Sequence, residues 1–263
     1  MTPAAHAAFT EAVRARLEAD PDVLGLVGLG STSGEPPLPD EVSDHDLWIV
    51  TRPGAQERFR TGLGWLPDAE AIVLSYRETA HGVKALYASG HLVELAVFDP
   101  DELSVARVNR HRVFLDRCGL AARLAALRAA TVAAAPPPAD ERWEAGQLLT
   151  KLVVGAGRAA RGEVLSGHGL VRIGAVGHLV TLARARLSPE RRAQLDDLDP
   201  ARRLERALPA LAAEVERAVR LPVPDAARAL LALVARERPD LVSAPARAAV
   251  EAALVRAQGP RRD

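Results

Sequence analysis

Cysteine is almost absent. The single thiol, Cys118, excludes an internal disulfide framework and a cysteine-rich metal site. Lysine is nearly as scarce: of 34 basic residues only Lys84 and Lys151 are lysines. The excess of Ala, Arg, Leu and Pro has the look of coding bias in a GC-rich genome. An arginine therefore carries little information here, and a retained lysine somewhat more. Aromatic residues make up only 3% of the chain. No apolar run reaches the ~18 residues of a spanning helix, so no membrane segment is expected. The opening MTPAAHAAFTEAVRARLEAD lacks the basic start and apolar stretch of a signal peptide. It reads as an amphipathic helix, and a cytoplasmic location is the expectation. Formal net charge is zero. That excludes the strong basic field of a dedicated nucleic-acid binder, so no nucleic-acid partner is expected.

What is present is a 263-residue chain, 48% hydrophobic and 26% charged, with material for one large domain or two ordinary ones. Charge is uneven. Residues 1–138 hold 13 basic and 18 acidic side chains, net −5, and residues 139–263 hold 21 and 16, net +5. The first half alternates helical patterns with short β-rich runs. A helix is expected at about 3–19 and a strand in VLGLVGL (23–29). LWIV (47–50) reads as a strand and AQERFRTGL (55–63) as a helix. AEAIVLSYRE (69–78), VKALYA (83–88) and HLVELAVF (91–98) read as strands, the last two turning across Ser89-Gly90. Asp99-Pro100 reads as a helix start, RVFLD (112–116) as a strand, and GLAARLAALRAATV as a helix. AAAPPPAD (133–140) marks a boundary, because three prolines cannot continue a helix. Beyond it the apolar spacing is helical, including helices at 200–219, 224–237 and 244–257. The expected architecture is α+β: a catalytic domain at 1–134 with a mixed sheet flanked by helices, then an all-helical domain at 139–263.

Chemistry concentrates in GLGSTSGEPPLPDEVSDHDLWIV, Gly28 to Val50. Alternate residues of a strand share a face, so Asp44 and Asp46 point one way and His45 the other. Two adjacent carboxylates repel, and burying them unpaired is costly. A hard divalent cation removes both problems, and Mg2+ prefers a few carboxylates completed by water and phosphate. The plain alternative is a solvated strand start. Three features weigh against it. Gly30-Ser31 follows a strand, where glycine allows close backbone approach and free N–H groups can hold phosphate oxygens. Twelve residues separate Ser31 from Asp44, enough for a loop returning to a neighbouring strand. Glu94 is a carboxylate inside an otherwise apolar strand, and such a charge needs a partner.

Gly-Ser, a dozen residues, Asp-x-Asp before an apolar run and a later acidic strand residue together resemble the DNA polymerase β-like nucleotidyltransferase superfamily. The resemblance covers roughly residues 20–118. With a helical domain following, the chain resembles its antibiotic branch, which acts on aminoglycosides or lincosamides. The resemblance implies Mg2+-dependent transfer of a nucleoside monophosphate, AMP from ATP or the equivalent from another NTP, to a hydroxyl of a small acceptor, releasing pyrophosphate. Gly30 and Ser31 would hold the phosphates. Asp44 and Asp46 would bind two Mg2+ ions, and Glu94 would bind one of them or deprotonate the acceptor. His45 stands where the family usually carries an aliphatic residue, which questions the packing behind the strand more than the chemistry. Two other readings stay open: the same chemistry on a protein hydroxyl, as in antitoxin nucleotidyltransferases, and a binding module with a degenerate site.

In the helical half, Glu144 and Lys151 are seven residues apart and share a helix face. Some aminoglycoside enzymes of the family place an acid and a lysine on the corresponding helix. That implies Glu144 as a general base and Lys151 as a triphosphate partner, against the alternative of a solvated face. Glu141 is a weaker substitute for Glu144. His168 and His178 read as structural rather than metal-binding, Cys118 as inert, and Asp116 as a helix cap.

Overall fold

The computed structural model describes residues 1–258 except Pro37, residues 134–138 and Asp197. The triple-proline boundary lies outside the described residues. The chain divides into two compact units, Met1–Ala135 and Pro136–Asp263. No helix among the described residues is long and apolar enough to cross a membrane.

The first unit is a six-stranded mixed sheet. Helix α1 (Pro3–Glu18) begins at Thr2, whose hydroxyl accepts from Ala5 N, with Pro3 at the first helical position. It leads into β1 (Val23–Leu29), β2 (His45–Thr51), α2 (Gln56–Thr61), β3 (Ile72–Arg77), β4 (Gly82–Tyr87), β5 (Leu92–Phe98), β6 (His111–Asp116) and α3 (Leu120–Ala133). The strand order is β3-β4-β5-β2-β1-β6. Only β2 and β5 run parallel; the other neighbours are antiparallel.

Strand parity sorts side chains onto two cores. Leu47 and Ile49 of β2 join Val93, Leu95 and Val97 of β5 under Val13 and Leu17 of α1 and Phe59 of α2. On the opposite face Val27, Val50 and Phe98 pack against Leu120 and Leu124 of α3. Full burial of each such side chain contributes ~1.5–3 kcal/mol. Asp116 caps α3 as expected: its carboxylate accepts from Cys118, Leu120 and Ala121 N–H groups. Those bonds hold its carboxyl below the ordinary range. The Cys118 thiol is pushed up, first by burial.

One expected helix is much shorter. Asp99 does cap, accepting from Asp101 and Glu102 N–H, but only a 3-10 turn, Glu102–Val105, follows. Leu103 alone is buried there, and Val105 is 69% exposed. Without an apolar face to bury, a helix does not propagate.

The second unit is helical: α4 (Glu141–Ala160), α5 (Val164–His168), a π-helical segment (Gly169–Ala175), α6 (Val176–Ala185), the single turns α7 (Pro189–Arg192) and α8 (Leu204–Ala207), then α9 (Pro209–Val219), α10 (Val223–Glu237) and α11 (Ala244–Arg256). Leu148, Leu152 and Ala156 of α4 pack against Leu230 and Val234 of α10 and Leu254 of α11. The single helix expected at 200–219 is broken at Leu208, which leaves helical geometry at φ −139°. Pro209 is the cause, because a proline disfavours the α conformation in the residue before it.

Candidate active site

β1 ends at Leu29 and the chain turns on Gly30, whose φ of +51° favours a residue without a Cβ. A 3-10 turn follows, Gly30–Ser33, closed by Ser33 Oγ donating to Gly30 O at 2.7 Å. Within it, Ser31 Oγ and Thr32 Oγ1 are buried and have no hydrogen-bond partner. Thr32 is only 5% exposed. Buried hydroxyls are ordinarily paired, so two orphans in one turn mark a place prepared for a polar group.

The return loop is fastened by Asp40, which accepts from Val42 N and Ser43 Oγ. It delivers Asp44 just ahead of β2, and His6 Nε2 lies 3.1 Å from the Asp44 carbonyl oxygen, which can only accept. Asp44 and Asp46 are half-buried, and His45 between them is fully buried. His45 stacks on His6 at 3.5 Å and shares a 2.7 Å hydrogen bond, Nδ1 to Nε2, with His91. Burial, then the neighbouring His6 and His91, pushes His45 down to about 3. It is a neutral packing residue behind the strand.

Gly30 and Asp46 meet directly. A Cβ built on Gly30 would lie 2.4 Å from Asp46 Oδ2. The turn bearing the orphan hydroxyls and the Asp-x-Asp strand are thus one constellation. In the parallel pairing Asp46 is register partner to Glu94. Glu94 in turn faces Lys84 across the β4–β5 hairpin. Lys84 Nζ lies 2.9 Å from Glu94 Oε1 and 2.9 Å from Glu78 Oε1. Its pKa is raised, first by the hydrogen bond to Glu94. Asp46, Glu78 and Glu94 line a cleft of about 200 Å³ with Trp48 and Thr79.

The Asp46 carboxylate, the Gly30 cradle and the orphan Ser31 hydroxyl have the chemistry to hold Mg2+ carried by a phosphate, whereas Asp44 precedes the strand and its charge acts on His91, which packs on His45. Among the described residues, no three Asp, Glu, His or Cys side chains converge as a ready metal site. Sequence reasoning required a partner for Glu94, and that partner here is Lys84. Neither Lys84 nor Glu78 was placed in the site from sequence. The signal was available: Lys84 and Glu94 lie equally far from Ser89 in an antiparallel hairpin, within a chain that retains two lysines.

In the second unit, Glu144 Oε2 lies 2.5 Å from His178 Nδ1, with the two side chains 13% and 16% exposed. The Trp143 ring meets the His178 ring edge to face. Lys151 Nζ donates to Gln147 Oε1 at 2.8 Å, one helical turn back on α4. Glu144 and Lys151 therefore lie on one helix, each with its own partner. Glu141 instead pairs with the buried Arg238 at 2.6 Å.

No family model matches the chain, and no curated protein matches it. Among solved structures it is similar to a nucleotidyltransferase-like protein from Exiguobacterium sibiricum 255-15, at 16% identity over 89% of this chain and 77% of that one, with a TM-score of 0.32. It is also similar to an aminoglycoside 6-adenyltransferase from Bacillus subtilis, at 11% identity over 93% and 90% of the two chains, with a TM-score of 0.30.

Proposed function

We propose that this chain is a Mg2+-dependent nucleotidyltransferase, moving a nucleoside monophosphate, AMP from ATP in the first instance, to a hydroxyl of a small molecule. The observation that carries the reading is the direct seat of Gly30 against the Asp46 carboxylate, beside the unpaired hydroxyl of Ser31. A phosphate-binding turn and a metal-binding carboxylate need that adjacency, and a merely solvated strand start does not.

In this reading Ser31 Oγ and the backbone at Gly30 bind the β- and γ-phosphate oxygens. Asp44 and Asp46 hold the metal ions, two in number, with Glu94 as the third carboxylate. Bound Mg2+ supplies charge stabilisation to the attacking and leaving oxygens of an in-line displacement. The acceptor oxygen forms a bond to the α-phosphorus as the bond to the bridging oxygen breaks. Pyrophosphate leaves, and the hydroxyl proton goes to a carboxylate, for which Glu94 is the candidate in this unit. The Glu144–His178 pair has the composition of a general base, and Lys151 that of an anion partner. An antibiotic-type acceptor is the first candidate.

The test is transfer of label from α-phosphate-labelled ATP, with Mg2+, to a panel of aminoglycosides, lincosamides and candidate proteins, with wild type beside Asp46→Asn. The expected result is label on a small acceptor that the variant does not transfer. Label on a protein would move the reading to protein modification. Absence of both transfer and Mg2+-dependent ATP binding would leave a binding module.

A further inference from the structure

Across four strands one row of side chains occupies the same sheet face: Asp46 on β2, Glu94 on β5, Lys84 on β4 and Tyr76 on β3. The third carboxylate of the site is therefore flanked by a carboxylate on one side and an ammonium on the other. Lys84 Nζ is 2.9 Å from Glu94 and equally 2.9 Å from Glu78, which lines the same cleft.

We propose that Lys84 is an internal counter-ion that keeps Glu94 closed to a divalent metal ion until nucleotide binds, and that Glu78 then carries the released ammonium. The inference rests on the nucleotidyltransferase reading above. A metal ion on Glu94 would stand within a few Å of the ammonium, and like charges at that range repel strongly. Metal entry therefore requires Lys84 to move. Glu78 lets it move without leaving an unpaired charge, because one of its two ion pairs persists. A triphosphate tips the balance by bringing negative charge of its own. The residue type fits the task. A compact ammonium on a flexible four-carbon stem can pass between two carboxylates, whereas the planar fork of arginine is built to stay. In a chain with 32 arginines and two lysines, this position holds a lysine. The net effect is a site that loads metal together with nucleotide rather than ahead of it. Lys84 acts through Glu94, as a positioning residue.

The experiment is Mn2+ titration followed by electron paramagnetic resonance, on the full chain, with and without α,β-methylene-ATP. The proteins are wild type, Lys84→Gln, Lys84→Arg, Glu94→Gln, the Lys84→Gln/Glu94→Gln double variant and Asp46→Asn, each checked for a folded thermal transition. Without nucleotide, Lys84→Gln is expected to bind Mn2+ at least tenfold more tightly than wild type, and the double variant to lose that gain. Lys84→Arg keeps the low wild-type affinity. The nucleotide analogue raises wild-type affinity by a larger factor than it raises that of Lys84→Gln. Unchanged Mn2+ affinity in Lys84→Gln, or a gain that survives in the double variant, overturns the inference while the nucleotidyltransferase reading stands. Failure of wild type to take up Mn2+ even with the analogue, or uptake indifferent to Asp46→Asn, overturns that reading and this inference together.

Discussion

Gly30 stands so close to Asp46 that a methyl group at position 30 would lie 2.4 Å from the carboxylate oxygen Oδ2. Gly34, four residues on, also has a positive φ, +76°, but its Cβ would find no atom nearer than 3.7 Å. The two glycines separate backbone strain from site geometry. Alanine at either costs ~1–2 kcal/mol for the left-handed conformation. Gly30→Ala in addition displaces Asp46 and is expected to lower transfer at least tenfold. Gly34→Ala should lose a similar few degrees of thermal stability with its activity intact. Equal activity losses in both variants would sink the idea that Gly30 is kept for the carboxylate.

Ser31 carries the opposite trade. Its hydroxyl is buried without a partner, and an unsatisfied buried group costs ~1–3 kcal/mol. Ser31→Ala is therefore expected to leave thermal stability unchanged or raised. A hydrogen bond to a charged phosphate contributes ~1.5–3 kcal/mol, so the Kd for ATP with Mg2+ should rise about tenfold or more. Calorimetry on the two proteins reads both quantities. A variant that is destabilised and binds ATP normally would make Ser31 structural.

Burial, with His6 and His91 nearby, lowers His45 from 6.5 to about 3, and burial lowers His91 as well. Above pH 6.5 both the folded and unfolded chains keep these rings neutral, and the pair exerts no pH dependence. Below it the unfolded chain takes up protons that the folded chain refuses, so stability falls as pH drops from about 6.5 toward 3. Each fully displaced titration removes ~1.4 kcal/mol per pH unit. Thermal unfolding between pH 7.5 and pH 5 should show that loss, and His45→Leu should flatten its slope. A wild-type melting temperature constant across this range would contradict the neutral cluster.

Glu144 and His178 offer a test of what a largely buried acid–imidazole pair contributes to the helical unit. Both are largely buried and share a 2.5 Å contact. His178→Ala leaves the carboxylate without its partner and is expected to cost ~1–3 kcal/mol of stability. Glu144→Gln keeps a hydrogen-bonding group there and should fold nearly as well as wild type. Thermal melts of both variants beside wild type check this, and a His178→Ala protein as stable as wild type would make the pair dispensable to the fold.

Much of the site was legible because its logic is local. Strand alternation places Asp46 opposite His45, but Asp44 lies ahead of β2, outside that alternation. The glycine that turns out of β1 and the loop back to β2 follow from residue types and spacing. The hairpin at Ser89-Gly90 fixes Lys84 opposite Glu94. The helix expected at Asp99 shrinks to one turn because a good cap has no apolar face behind it, and the one expected at 200–219 breaks because Pro209 disfavours the α conformation at Leu208.

By itself the sequence determined the elements and the parity of their side chains, since φ preferences, periodicity and turn chemistry act over a few residues. Tertiary structure alone decided which elements are neighbours. Parallel pairing of β2 with β5 brings Glu94 beside Asp46 across 48 positions of chain. Packing of α1 under the sheet gives His45 its partner His6, and the pairing of β2 with β5 brings up His91. In the helical unit, α6 returning to α4 joins His178 to Glu144. Such contacts are set by how whole faces bury one another. No window along the chain contains them.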